Sequence, residues 1–113
     1  MFNSSKYTNW YFSIINHAKL LNRSKGGENY VEIHHIIPRA LGGNNAKANL
    51  VALTAKEHYV CHMLLPKMCI QSNHKGKMVY AFMMLSEARN GRRATHAYTG
   101  RMYERLKLSL IHI

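Results

Sequence analysis

Apolar side chains at Tyr7, Trp10, Tyr11, Ile14, Ile15, Ala18 and Leu21 recur three and four residues apart. That is the period of one helical face, so the pattern predicts an amphipathic helix over about 7–22. Asn22-Arg23-Ser24-Lys25-Gly26-Gly27 is polar and glycine-rich and ends that helix in a loop. The pattern then changes. Tyr30-Val31-Glu32-Ile33-His34 is short, β-branched and aromatic, as a strand requires, and Pro38 withholds a backbone donor and turns the chain out of the ladder. After a turn at Gly42-Gly43-Asn44-Asn45, the run Asn49-Leu50-Val51-Ala52-Leu53 predicts a second strand, joined to the first by a long, irregular connection.

Thr54-Ala55-Lys56-Glu57 matches a capping box, with Thr54 as N-cap and Glu57 three residues on. The helix it opens is expected to run to about Cys69 despite Pro66 near its end, and His58 and His62 share one of its faces. Gln71 to Gly76 reads as a loop, about 77–88 as another helix, Asn90-Gly91-Arg92-Arg93 as a basic loop, and about 100–108 as a last helix with a cationic face. The expected fold class is α+β. A compact ββα unit over about 30–69 carries flanking helices, and residues 1–113 form a single domain.

Charge sharpens this picture. Sixteen Lys+Arg against five Asp+Glu give +11, and the excess is uneven: 7 basic against 3 acidic groups over 1–66, and 9 against 2 over 67–113. A field of that sign attracts polyphosphate and implies salt-sensitive affinity for nucleic acid. Cys61 and Cys69 are eight apart on the expected helix, about 12 Å along its axis, too far for a disulfide. They read as reduced thiols of a cytoplasmic protein. No apolar run reaches the roughly 20 residues of a membrane span, and no membrane partner is expected.

Four histidines and one asparagine carry the candidate chemistry. Divalent metals take imidazole nitrogen, and two histidines one helical turn apart, as His58 and His62 are, reach one ion. A third ligand comes most simply from the His34-His35 pair. Neighbours on a strand point to opposite faces, so both serve together only if the backbone twists there; one histidine on the metal and the other turned to the substrate is the more economical arrangement. Waters fill the remaining positions, as a catalytic site requires. His34 and His58 with waters also make a sufficient site without His62.

Residues 32–62, with Glu32-Ile33-His34-His35, Asn49, His58 and His62, resemble the HNH endonuclease motif of the ββα-metal (His-Me finger) nucleases. The pattern is similar to phage-borne HNH homing endonucleases. The resemblance implies His34 as a metal ligand, where many relatives have aspartate, and His35 as the general base that activates water. It implies Asn49 as the central asparagine that orients the base and braces the loop. His58 is then the final motif histidine, a ligand, and His62 matches an additional ligand of the bacterial-toxin DNases. The implied reaction is hydrolysis of DNA phosphodiester bonds, by nicking or double-strand cleavage, leaving 5′-phosphate and 3′-hydroxyl ends. The implied cofactor is one divalent ion, Mg2+ or Mn2+ in first place, with Zn2+ or Ni2+ as alternatives. The chain departs from the commoner pattern in lacking zinc-binding cysteine pairs and the modular DNA-binding region of many homing enzymes.

Other residues carry two readings each. Glu32 shares a strand face with His34 and supports the site or is simply solvated. Arg39 is a phosphate contact or an exposed loop residue. Arg92, Arg93, Arg101 and Arg105 are candidate backbone contacts as a group. His17, His74, His96 and His112 have no partner at ligand spacing, and the aromatic set Tyr7, Trp10, Tyr11 and Phe12 is read as packing. A zinc peptidase is excluded, because its helix needs HExxH and here Tyr59 follows His58. The competing reading is a non-catalytic nucleic-acid-binding module with a structural zinc. RNA stays open as substrate, since charge sees only phosphate.

Overall fold

The computed structural model describes residues 1–27 and 29–90, with side chains through residue 87. The expected last helix and Arg92, Arg93, Arg101 and Arg105 lie outside the described residues. The element order is α1 (Lys6–Leu21), β1 (Glu32–His35), β2 (Leu50–Leu53), α2 (Ala55–Met68) and α3 (Ser72–Asn90), with 3-10 turns at Arg39–Leu41 and Lys47–Asn49. The α+β class and the ββα order expected from the pattern are what the structure shows.

Helix α1 begins where the Ser5 side chain accepts from the Thr8 amide at 3.5 Å. It ends at Asn22, which takes the left-handed conformation (φ 48°) and returns its N–H to the Ala18 and Lys19 carbonyls. Its apolar stripe is buried, with Tyr11, Ile14, Ile15 and Ala18 all at 3% exposure or less. Strands β1 and β2 pair antiparallel in the register Glu32↔Leu53, Ile33↔Ala52, His34↔Val51 and His35↔Leu50. The first strand is shifted from the sequence expectation: Tyr30 is exposed and outside it, and His35 is inside it.

The capping box at α2 forms as expected. The Glu57 amide donates to Thr54 Oγ1 at 3.1 Å, and the Thr54 amide donates to Glu57 Oε1 at 2.9 Å. Arg23 adds a pair that spacing alone does not reveal. Its Nη1 donates to Glu57 Oε1 at 2.7 Å and to the Ala52 carbonyl at 3.3 Å, tying the loop after α1 to the start of α2. At the other end, the N-terminal residues strap the helix. Phe2 bridges Cys69, and the Asn3 amide donates to the Met68 carbonyl at 2.8 Å.

Helix α3 corrects the expectation of a loop over 71–76 and a helix from about 77. It starts at Ser72, and the Lys75 amide already donates to the Gln71 carbonyl at 3.0 Å. Serine, asparagine and glycine favour turns by local propensity, but α3 packs on α2 and buries Met78 completely, which outweighs that weak preference.

Helix α2 packs against both α1 and α3 and against the hairpin. Leu53, Cys61, Leu64, Leu65 and Met68 are fully buried between them. Cys61 and Cys69 are buried free thiols, and Cys69 Sγ donates to the Leu65 carbonyl at 3.2 Å. Tyr7 and Trp10 meet edge to face at 5.6 Å and Tyr11 and Phe12 at 5.1 Å, the packing role read from the sequence. Among the described residues, no helix is long and apolar enough to cross a membrane.

Candidate functional site

The strand register determines which histidine turns inward. His34 stands opposite Val51 on the core face and is 2% exposed, whereas His35 stands opposite Leu50 and is half-buried. Helix α2 brings His58 and His62 up beneath His34. The three rings meet edge to face, with centroids 5.2 Å apart for His34–His58, 5.2 Å for His34–His62 and 4.8 Å for His58–His62. One nitrogen from each lies within 4.8 Å of the others. Among the described residues no other group of three potential ligands converges in this way.

Three clustered imidazoles in a basic chain need a reason to stay together. Burial, and then the neighbouring His62, His58 and His35, push the His34 pKa down to about 2, so this ring is neutral and keeps a lone pair. Neutral imidazole is the form that binds a divalent ion. The polar surroundings suit ligation as well. Glu32 Oε1 accepts from His58 Nδ1 at 2.8 Å, and Glu32 Oε2 accepts from the Tyr30 hydroxyl at 2.6 Å. A carboxylate behind a histidine is the usual way to fix a ligand ring and raise its basicity. The donor set therefore fits a divalent metal.

His34, His35, Arg39, His58, His62 and Met78 border one cavity of about 220 Å³. A larger groove of about 520 Å³, lined by Lys19, Arg23, Lys47 and the outer face of the hairpin, contains none of these histidines. Arg39 is exposed at the rim of the histidine cavity. Glu32, left between two readings by the sequence, is the carboxylate that holds His58.

The loop between the strands is held by Asn49. Its Oδ1 accepts from the Ile37 amide at 2.8 Å, and its Nδ2 donates to the Ile37 carbonyl at 3.0 Å and to the Asn44 carbonyl at 2.9 Å. The side chain that touches the expected base is a different one, Asn45, whose Oδ1 lies 2.8 Å from His35 Nε2. Asn49 braces the loop that carries Asn45, and the hydrogen bond to His35 is Asn45's. The two glycines of the loop have separate causes. Gly42 adopts φ +99°, and a Cβ on Gly43 would lie 1.7 Å from the Ile37 carbonyl oxygen.

Sequence reading missed Tyr11, Asn45 and Arg23. Tyr11 carried a usable signal, because a tyrosine on a core-facing stripe must find a partner for its hydroxyl. Its oxygen lies 2.7 Å from His34 Nε2 and 2.7 Å from the Ile36 carbonyl. Asn45 and Arg23 sit in polar loops where nothing local separates them from their neighbours.

No family model and no solved structure matches the chain. Proteins similar to it include three from Enterobacteria phage T4. Probable mobile endonuclease D is 41% identical over 94% of this chain, probable mobile endonuclease E is 33% identical over 78%, and probable mobile endonuclease C is 34% identical over 81%. The chain spans 41%, 62% and 41% of those three proteins, respectively. Over most of its own length this chain is thus similar to probable mobile endonucleases of a phage.

Proposed function

We propose that the chain is the catalytic portion of a metal-dependent HNH endonuclease that hydrolyses DNA, with His35 as general base and His34, His58 and His62 as metal ligands. The observation that carries this is a three-imidazole centre with a fourth imidazole, His35, on the same cavity but on the opposite face of the strand. A purely structural zinc site has no use for that fourth ring. The names of the phage relatives support nuclease chemistry, and the +11 charge supports a polyanionic substrate.

His34, His58 and His62 would hold a divalent ion, which when bound would supply charge stabilisation to the scissile phosphate and the leaving 3′ oxygen. The protein's own groups do the rest. His35 takes a proton from the attacking water through the imidazole nitrogen not held by Asn45. Asn45 fixes the ring's direction, and Asn49 fixes the loop that presents Asn45. Arg39, exposed at the rim of the cavity, contacts a phosphate oxygen in this reading. Arg92, Arg93, Arg101 and Arg105 add charge for the duplex backbone.

Supercoiled plasmid incubated with Mg2+, Mn2+, Ni2+ or Zn2+ tests the reading. Conversion to open circle or linear form, lost with EDTA and with His35→Ala, is expected. Failure of every metal to support cutting, in a protein that still shifts DNA and holds zinc, would establish the binding module in its place. A single-stranded RNA arm separates the two polynucleotides as substrates.

A further inference from the structure

Two histidines of the centre, His58 and His34, are gripped through different ring nitrogens. Glu32 accepts from His58 Nδ1, which leaves the lone pair of neutral His58 on Nε2. At His34 the held atom is Nε2, 2.7 Å from the Tyr11 oxygen. The Tyr11 hydroxyl has a single proton, and the Ile36 carbonyl, 2.7 Å away, can only accept it. The hydroxyl must then accept from His34, so His34 carries its proton on Nε2 and keeps the lone pair on Nδ1.

We propose that Tyr11 is a positioning residue for the metal centre: its hydroxyl, oriented by the Ile36 carbonyl, locks His34 in the Nε2–H tautomer and so makes Nδ1 the atom offered to the metal. This rests on the metal-site reading above and adds to it the donor atom and the residue that selects it. Tyr11 is fully buried against His34, and their rings meet edge to face at 5.9 Å. The same hydroxyl grips residues on both sides of His35, so one group of α1 sets the ligand and steadies the strand that carries the base.

Two measurements on the full chain test this. Long-range 1H–15N correlation spectra of the metal-free wild type read the tautomers directly, with His34 expected as Nε2–H and His58 as Nδ1–H in the same molecule. Competition against a chromophoric chelator reads Zn2+ affinity, expected to weaken about 10–100-fold in Tyr11→Phe, with loss of the fixed His34 tautomer. Tyr7→Phe, a hydroxyl removed from the same helix away from the centre, is expected to change neither. An Nδ1–H tautomer at His34 in the wild type overturns the proposal without any variant. Wild-type affinity and an unchanged tautomer in Tyr11→Phe overturn the role of Tyr11 alone. A wild type that takes up no zinc overturns the metal-site reading, and the proposal with it.

Discussion

Asn49 satisfies both backbone polar groups of Ile37 with one side chain, accepting from its amide at 2.8 Å and donating to its carbonyl at 3.0 Å. The carboxamide thus mimics a strand partner just where the chain has left the ladder. Asn49→Asp keeps the acceptor but turns a second oxygen toward the Ile37 and Asn44 carbonyls. A loss of about 1–3 kcal/mol is expected, since the part-buried Ile37 carbonyl loses its donor. It is read as a lower urea midpoint with unchanged slope. A midpoint equal to the wild type would show that water replaces the bracing amide.

Gly43 and Gly76 make a pair of opposite sign. At Gly43 a Cβ would sit 1.7 Å from the Ile37 carbonyl oxygen, which is backbone and cannot rotate away. Gly43→Ala is expected to displace the loop, cost several kcal/mol and remove plasmid cleavage. At Gly76, inside α3, a Cβ meets nothing within 4 Å. Gly76→Ala is expected to stabilise by up to about 1 kcal/mol, visible as a higher melting temperature with cleavage unchanged.

The Arg23–Glu57 pair at 2.7 Å is mostly shielded, with 19% and 14% of the two side chains exposed. Glu57→Ala removes this pair and the capping box together, so it is expected to cost more than Arg23→Ala: about 2 kcal/mol against about 1. A double-mutant cycle in urea isolates the coupling. Equal losses for the two single variants would mean that the cap carries none of the stability.

Metal and fold are expected to be linked. Zn2+ or Ni2+ at about a hundredfold over its dissociation constant stabilises by about 2.7 kcal/mol. In a chain of this size that is an upward melting shift on the order of 10 °C. EDTA should reverse it, and His58→Ala and His62→Ala should each shrink it. A shift surviving the loss of both histidines would place the ion elsewhere.

Burial pushes the Cys61 thiol well up from its ordinary range, with the Glu57 charge adding to the effect, and burial raises Cys69 as well. Thiolate is the reactive form, so both cysteines are expected to react slowly with a disulfide reagent at pH 8 in the native protein and fast in urea. Rapid native labelling of Cys61 would contradict the packing of α2 on α1.

The resemblance and the elements behind it were legible because they are local. A helical stripe at 7–22, a capping box at Thr54–Glu57 and two histidines four apart each depend on neighbours within a turn or two of chain, and all three appear as read. Where local signals competed, as serine, asparagine and glycine did at the start of α3, the packing of α3 on α2 prevailed over propensity. The strand alternation also foretold that one histidine of the pair would turn inward. Which one did was decided by the register opposite Val51 and Leu50, and a slip of one residue would have exchanged them.

What tertiary structure alone decided is which atoms meet. Tyr11 reaches His34 across 23 residues, Glu32 reaches His58 across 26 and Arg23 reaches Glu57 across 34. Hydrogen-bond partners so far apart leave no periodic trace. A side chain's type is written in the sequence, but the direction and tautomer of a buried polar group are set only when hairpin closure and helix packing bring its partner to within 3 Å.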